Sequence, residues 1–373
     1  MNVLLLPTIP DPDPLAQPAP GWLAWSLLLL TFFLHLLPMN LILGGSILAA
    51  VSWARGRKGD RPHHAELARW FAKAAPSAVA AAVTLGVAPL LFLQVLYGRL
   101  FFVSSILMGW FWLSVILLVI LAYYGCYALA FRGEGLGATQ RWVRWLVPVL
   151  FAAVAFLYVN NTSLSLRPDV FQDRFLADAR GLHLNWDDPT LFPRYLHMLL
   201  GAAAVAGMAV AVLGLARRGR DPEFGRWAVR HGNLWFSVST GLNLVAGVLW
   251  LVTLPRETML RFMGQGAAAT IAFVLGLLFA LGALAMGLLA IPSAEPRGLV
   301  RGAAASLLLT LVSMVVMRDQ VRAAALEAAG FQANPWVAPQ WGPIAIFALL
   351  LVAALVLVAW MVAALAKGKP GPG

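Results

Sequence analysis

The sequence predicts an all-α protein, a polytopic transmembrane helix bundle of about nine spans with the N-terminus outside and the C-terminus inside. Three observations predict it. Apolar residues make up 61% of the chain and charged residues 12%, whereas a soluble domain is roughly half apolar and a quarter charged. Apolar runs long enough to cross a bilayer recur at 22–53, 68–97, 101–131, 142–162, 191–216, 229–254, 264–292, 299–318 and 342–366. Every second connection is basic: "ARGRKGDRPHH", "FRGEGLGATQRWVR", "ARRGRDPEFGRWAVR", "EPRGLVR" and the tail "KGKPGPG". Lysine and arginine gather on the cytoplasmic side, which fixes the orientation.

Taken in order, residues 1–20 form an extended tail, because prolines, Asp11 and Asp13 replace the basic start and apolar core of a signal peptide. Residues 21–367 form a single transmembrane domain, and 368–373 a cytoplasmic tail. The outer connection at 160–189 is long enough to hold a short amphipathic helix. The eighth span is expected to continue outward as "MRDQVRAAALEAAGFQANPWVAPQ". The one cysteine, Cys126, excludes a disulfide framework, a CxxC metal site and covalent c-type haem. No Gly-rich phosphate loop, nucleophile elbow or HExxH is present. The net charge of +11 belongs to the basic connections and implies a bilayer rather than nucleic acid.

Polar groups inside the spans carry the functional signal, since an intramembrane ionisable residue is costly and needs a partner. His63 and His64 follow a basic loop, and His183 lies in the outer connection. His231 opens the sixth span beside Arg230 and Asn233, where it can meet headgroups, cap helix ends or bind a cofactor at the inner face. His35 lies near mid-span in "FFLHLLPMNLILGG", and His197 a turn or two inside the outer surface in "FPRYLHMLLGAAAVAGMAV". Each imidazole needs either a bond to a neighbouring helix or a metal, and the residues alone leave both readings open. Small residues at 201–204 and Gly207 would leave a groove for a flat macrocycle, or permit close helix packing. Met263, in "ETMLRFMGQGAAAT", falls at a depth similar to His197, and imidazole with thioether is a low-spin haem ligand pair. Arg261 is placed to offset propionate charge. Aspartates and glutamates fall in loops, tails and span edges (Glu66, Glu257 and Asp319 among the last), leaving Gln94 and Asn40 as candidates for a polar pathway.

Four of these segments, in order, resemble the large subunit of the cytochrome bd quinol oxidase family. "FLHLLPMNLILGG" resembles its first span and "TLGVAPLLFLQVLYG" the second-span pattern around "GVATG...EFQFG". "RYLHMLLGAAAVAGMAV" resembles the fifth-span "FVHTVASGYVTGAMF", and "LRFMGQG" the seventh-span "FRIMVGLG". The resemblance implies that His197 and Met263 are axial ligands of a low-spin b haem with Arg261 beside it. It likewise implies that His35 is the first-span ligand of a high-spin haem region, so more than one haem, with the type of the high-spin haem left open.

Departures from that pattern narrow the expected activity. The long quinol-binding loop between spans six and seven is reduced to "LPRETMLR". Gln94 stands for a second-span glutamate, and the third-span acids have no counterpart in "GWFWLSVILLVILAYYG". In "VVMRDQVR", Val316 stands where the acidic haem ligand is expected. The resulting expectation is a haem-b subunit of a respiratory oxidoreductase in the bacterial inner membrane. It would pass electrons between quinol or a periplasmic c-type cytochrome and a partner redox centre, beside a second membrane subunit. The alternatives are a bd-type terminal oxygen reductase subunit and, in another class, a cofactor-free transporter or assembly subunit.

Overall fold

The computed structural model describes residues 16–57, 61–334 and 336–367. The tails expected at 1–20 and 368–373 lie outside these residues, 16–20 excepted. The chain begins with four long helices, α1 (Gly21–Gly56), α2 (Pro62–Leu107), α3 (Gly109–Phe131) and α4 (Thr139–Leu164). A short α5 (Phe171–Ala177) precedes α6 (Leu191–Arg217) and α7 (Pro222–Thr253). A one-turn α8 (Arg256–Leu260) then leads to α9 (Ala267–Ala290), α10 (Arg297–Ala328) and α11 (Trp341–Lys367). Eight of these, all except α5, α8 and α11, are long and apolar enough to span a membrane. The described apolar part of α11 is Trp341–Leu357, at the position of the ninth expected span.

The spans bury their small side chains and expose their large ones. On α9 the buried set is Ala269, Ala272, Gly276, Ala280, Ala283, Gly287 and Ala290, a 3–4 spacing that marks one helix face. Ile271, Leu275, Leu278, Leu281 and Leu288 are exposed. With hydrocarbon outside, close backbone approach replaces the hydrophobic effect as the force between helices. The same device joins α1 to α6, where a Cβ on Gly44 would lie 2.0 Å from the Ala202 carbonyl oxygen. It also joins α6 to α7, where a Cβ on Gly207 would lie 2.5 Å from the Phe236 nitrogen.

α2 corrects a boundary. Its 46 residues extend about 69 Å at 1.5 Å per residue, more than a bilayer with its headgroups, about 45 Å. It breaks at Tyr97, whose φ of −132° and ψ of 26° leave the helical range. Residues 98–107 continue α2 beyond the break instead of opening the third span at 101. They bury Leu100, Phe101, Ser104 and Leu107 and expose Phe102 and Ile106, as an amphipathic segment does.

The two ends of the bundle differ. At the basic end, Arg217 pairs with Glu66 at 3.4 Å and Arg218 donates to the Ala294 carbonyl at 2.7 Å. At the other end the connection 165–190 folds into a cap containing α5, the short helix expected there. Asn185 is fully buried and pins the cap: its amide N–H donates to Asn160 Oδ1 at 2.8 Å and its Nδ2 to Ser163 Oγ at 3.0 Å. Arg167 and Arg174 both bind Asp187. His183 belongs to this cap, its Nε2 2.6 Å from the Asp178 carbonyl oxygen.

A candidate haem cleft around His35

His35 lies about 21 Å along α1 from Gly21. Its Nδ1 is 2.9 Å from the Ala82 carbonyl oxygen on α2. A carbonyl only accepts, so Nδ1 carries the proton and Nε2 keeps its lone pair. Gly86, one helical turn on from Ala82, leaves the ring its space: a Cβ there would lie 2.9 Å from His35 Cε1. The ring borders an open-sided cleft lined by Leu28, Phe32, Leu90 and Leu93. His35 Nε2 makes no hydrogen bond among the described residues.

Another part of the wall comes from α10, where the sequence marks Asp319 as a span-edge carboxylate and Val316 as the position expected of an acidic haem ligand. Val315, Arg318, Asp319 and Arg322 all line the cleft. Val315 therefore occupies the lining position expected of Val316. Asp319 is 5% exposed; its Oδ2 accepts from Trp25 Nε1 at 2.8 Å and its Oδ1 from Arg322 at 3.4 Å. Arg322 also lies over the Tyr97 ring at 5.0 Å, at the break in α2. Arg318 is different. Among the described residues its guanidinium makes no hydrogen bond and no ion pair, and it rests 4.1 Å over the Phe32 ring. An apolar-walled cleft thus holds one open imidazole nitrogen and one cation without an acceptor, an expensive arrangement unless an anionic ligand completes it.

These residues fit a haem. Imidazole with its Nδ1 fixed by a backbone carbonyl is the usual geometry of a metal-ligating histidine. Arg318 presents a positive charge that a carboxylate of such a group could meet. No group of three or more His, Cys, Asp or Glu side chains suited to a free metal ion occurs among the described residues.

His197 repeats the arrangement on α6, about 9 Å from Leu191. Its Nδ1 is 3.2 Å from the Asn243 carbonyl oxygen on α7, and its ring centre is 5.7 Å from that of Trp250. Arg194 lies 5.3 Å over Trp250. Arg194 Nε, Asn243 Oδ1 and Trp250 Nε1 are buried without a hydrogen-bond partner. The small residues that follow His197 do not hold a groove open. Ala202 packs on Gly44, a Cβ on Gly201 would meet Asn243 Nδ2 at 3.4 Å, and Gly207 packs on Phe236.

Met263 lies in a π-type turn, Arg261–Gln265, that opens the seventh span, and it is 48% exposed. Gly264 has φ of 114°, which only glycine adopts at little cost. Thr270 Oγ1 holds the turn by donating to the Arg261 carbonyl at 2.9 Å and accepting from Gly264 N–H at 3.0 Å. Arg261 pairs with Glu327 at 2.6 Å. His231 stacks on Trp227 at 4.6 Å and meets the edge of His64 at 4.9 Å; its Nε2 is buried without a partner. Asn40 is buried on α1. Gln94 is half-buried and adjoins Leu93, which lines the cleft.

Among solved structures, "The structure of bd oxidase from Geobacillus thermodenitrificans" superposes with a TM-score of 0.76, covering 95% of this chain and 100% of that one. The chain has a bd-oxidase-like fold. Sequence identity to that structure is 12%, so the likeness is one of architecture. No protein-family model and no curated protein matches the sequence.

Proposed function

We propose that this chain is a haem-b-carrying membrane subunit of a respiratory oxidoreductase. In this reading it moves electrons between quinol or a periplasmic c-type cytochrome and a partner redox centre. The observation that carries it is the His35 cleft, where an imidazole nitrogen free to ligate faces a guanidinium free to take a carboxylate. Bound haem would supply a one-electron iron couple. The chain's own residues do the rest. Ala82 fixes the tautomer and orientation of His35, Arg318 takes a propionate, and Leu28, Phe32, Leu90 and Leu93 exclude water and lower the local dielectric. His197 serves the second haem, with Met263 as its partner ligand and Arg261 as the propionate-side cation. His231, Gln94 and Asn40 belong to a polar route or a further cofactor contact. A second membrane subunit and a location in the bacterial inner membrane complete the proposal.

The bd-oxidase-like architecture favours a second reading, a terminal oxygen reductase subunit. Oxygen uptake with a supplied donor and carbon monoxide binding to reduced protein separate the two. Replacing His35 and His197 singly by alanine tests the common core of both. Each variant is expected to insert and to lose a different component of the haem spectrum. Two unaltered spectra would leave the histidines as bonds between helices and return the transporter or assembly-subunit reading.

A further inference from the structure

The two guanidinium groups on one wall of the His35 cleft have different surroundings, and that asymmetry supports an inference which rests on the haem reading. Arg322 is held by Asp319 on one side and Tyr97 on the other. Asp319 is held in turn by Trp25 at 2.8 Å, so a residue near the start of α1 fixes the carboxylate on α10. Arg318, adjacent in sequence, has only the Phe32 face. We propose that Asp319 is the positioning counter-ion of the cleft: it neutralises Arg322 and leaves Arg318 as the single uncompensated cation facing the cofactor.

The charge count follows from the residues. Two arginines and one aspartate give the wall a formal charge of +1, beside an imidazole that must be neutral to ligate. Inside an apolar-walled site charges are weakly screened, so this count acts directly on an iron that gains or loses an electron. Removing the carboxylate makes the wall more positive and favours the reduced iron; removing Arg318 does the opposite. Trp25 contributes a hydrogen bond and no charge. Its loss shifts the potential little, although it loosens the link between α1 and α10. A merely structural role for Asp319 lowers cofactor retention or thermal stability without imposing opposite signs on the two charge variants.

The test is redox potentiometry on the purified chain with its native haem content, following the spectral component that His35→Ala removes. Asp319→Asn is expected to raise the midpoint potential of that component, and Arg318→Gln to lower it with reduced haem retention. Trp25→Phe, which removes a hydrogen bond to Asp319 but no charge, is expected to shift it less than either charge variant. The component that His197→Ala removes should move much less in every variant. Shifts of the same sign for Asp319→Asn and Arg318→Gln, or no shift in a folded, haem-loaded Asp319→Asn, overturn the proposal while leaving the haem reading intact. A wild-type chain that carries no haem removes the reading itself and this inference with it.

Discussion

Gly86 is the position where a single methyl group tests the His35 site. A Cβ there would lie 2.9 Å from His35 Cε1 and 3.0 Å from Nδ1. To regain an ordinary contact of about 3.4 Å the ring must retreat by about 0.5 Å, because α2 backbone at a helical position has little freedom to yield. Metal-ligand distances tolerate only about 0.2 Å, so the displaced ring either loses its Ala82 bond or ligates badly. Overpacking of this size costs about 1–3 kcal/mol, and a strained or lost hydrogen bond about 0.5–1.5 kcal/mol. A penalty of about 1–3 kcal/mol falling on the haem-bound state weakens retention by roughly 5- to 150-fold. Gly247, facing His197, offers a graded comparison, since a Cβ there would lie 3.2 Å from Cε1 and needs a smaller adjustment. The assay is haem per chain by pyridine haemochrome, with the absorption spectrum, for Gly86→Ala and Gly247→Ala. The expected order is a large loss of the His35 component for the first and a slight change for the second. An unaltered haem content and spectrum in Gly86→Ala refutes the geometric argument for His35.

Further outcomes follow from the packing and the cap. Gly44→Leu should lower thermal stability in detergent sharply, by several kcal/mol, since even its Cβ would overlap the Ala202 carbonyl; an unshifted melting curve contradicts the α1–α6 contact. Asn185→Ala should cost about 1–3 kcal/mol by removing the side-chain bonds to Ser163, Asp188 and Arg174 while its backbone bond to Asn160 remains, and limited proteolysis between residues 165 and 190 reads it. Arg180 binds Asp178 through its side chain and its backbone N–H and holds the carboxyl down to about 2. A depressed carboxyl stabilises the fold above its unfolded value and ceases to do so as pH falls through the folded one. Hydrogen exchange at 178–183 should therefore stay protected at pH 4 and rise toward pH 2, and Asp178→Asn should abolish that pH dependence.

The helical class, the cap helix and the outward extension of the eighth span were legible because they rest on hydropathy and length. His35 was legible for the same reason, as an ionisable residue inside an apolar run. Arg318 and Asp319 were not. In "VVMRDQVR" they close a run of apolar residues, and one-dimensional hydropathy assigns such charges to the surface. Only the crossing of α1 and α10 places them opposite a histidine about 21 Å inside α1. The signal in the sequence that points to them is Trp25, a hydrogen-bond donor at the start of the first span that needs an acceptor. The small residues after His197 left groove and helix contact open because both require the same side chains; Gly44 of α1 and Asn243 and Phe236 of α7 show the contact. The third-span boundary shifted because α2 breaks at Tyr97, beside Gly98, and the helix resumes beyond the break.

The most direct test of the central claim is a reduced-minus-oxidised absorption spectrum of the purified chain with a haem count. Sharp b-type bands and more than one haem per chain are the expected result. A flat spectrum from well-folded protein would contradict the claim, and the two fixed imidazoles would then be bonds between helices.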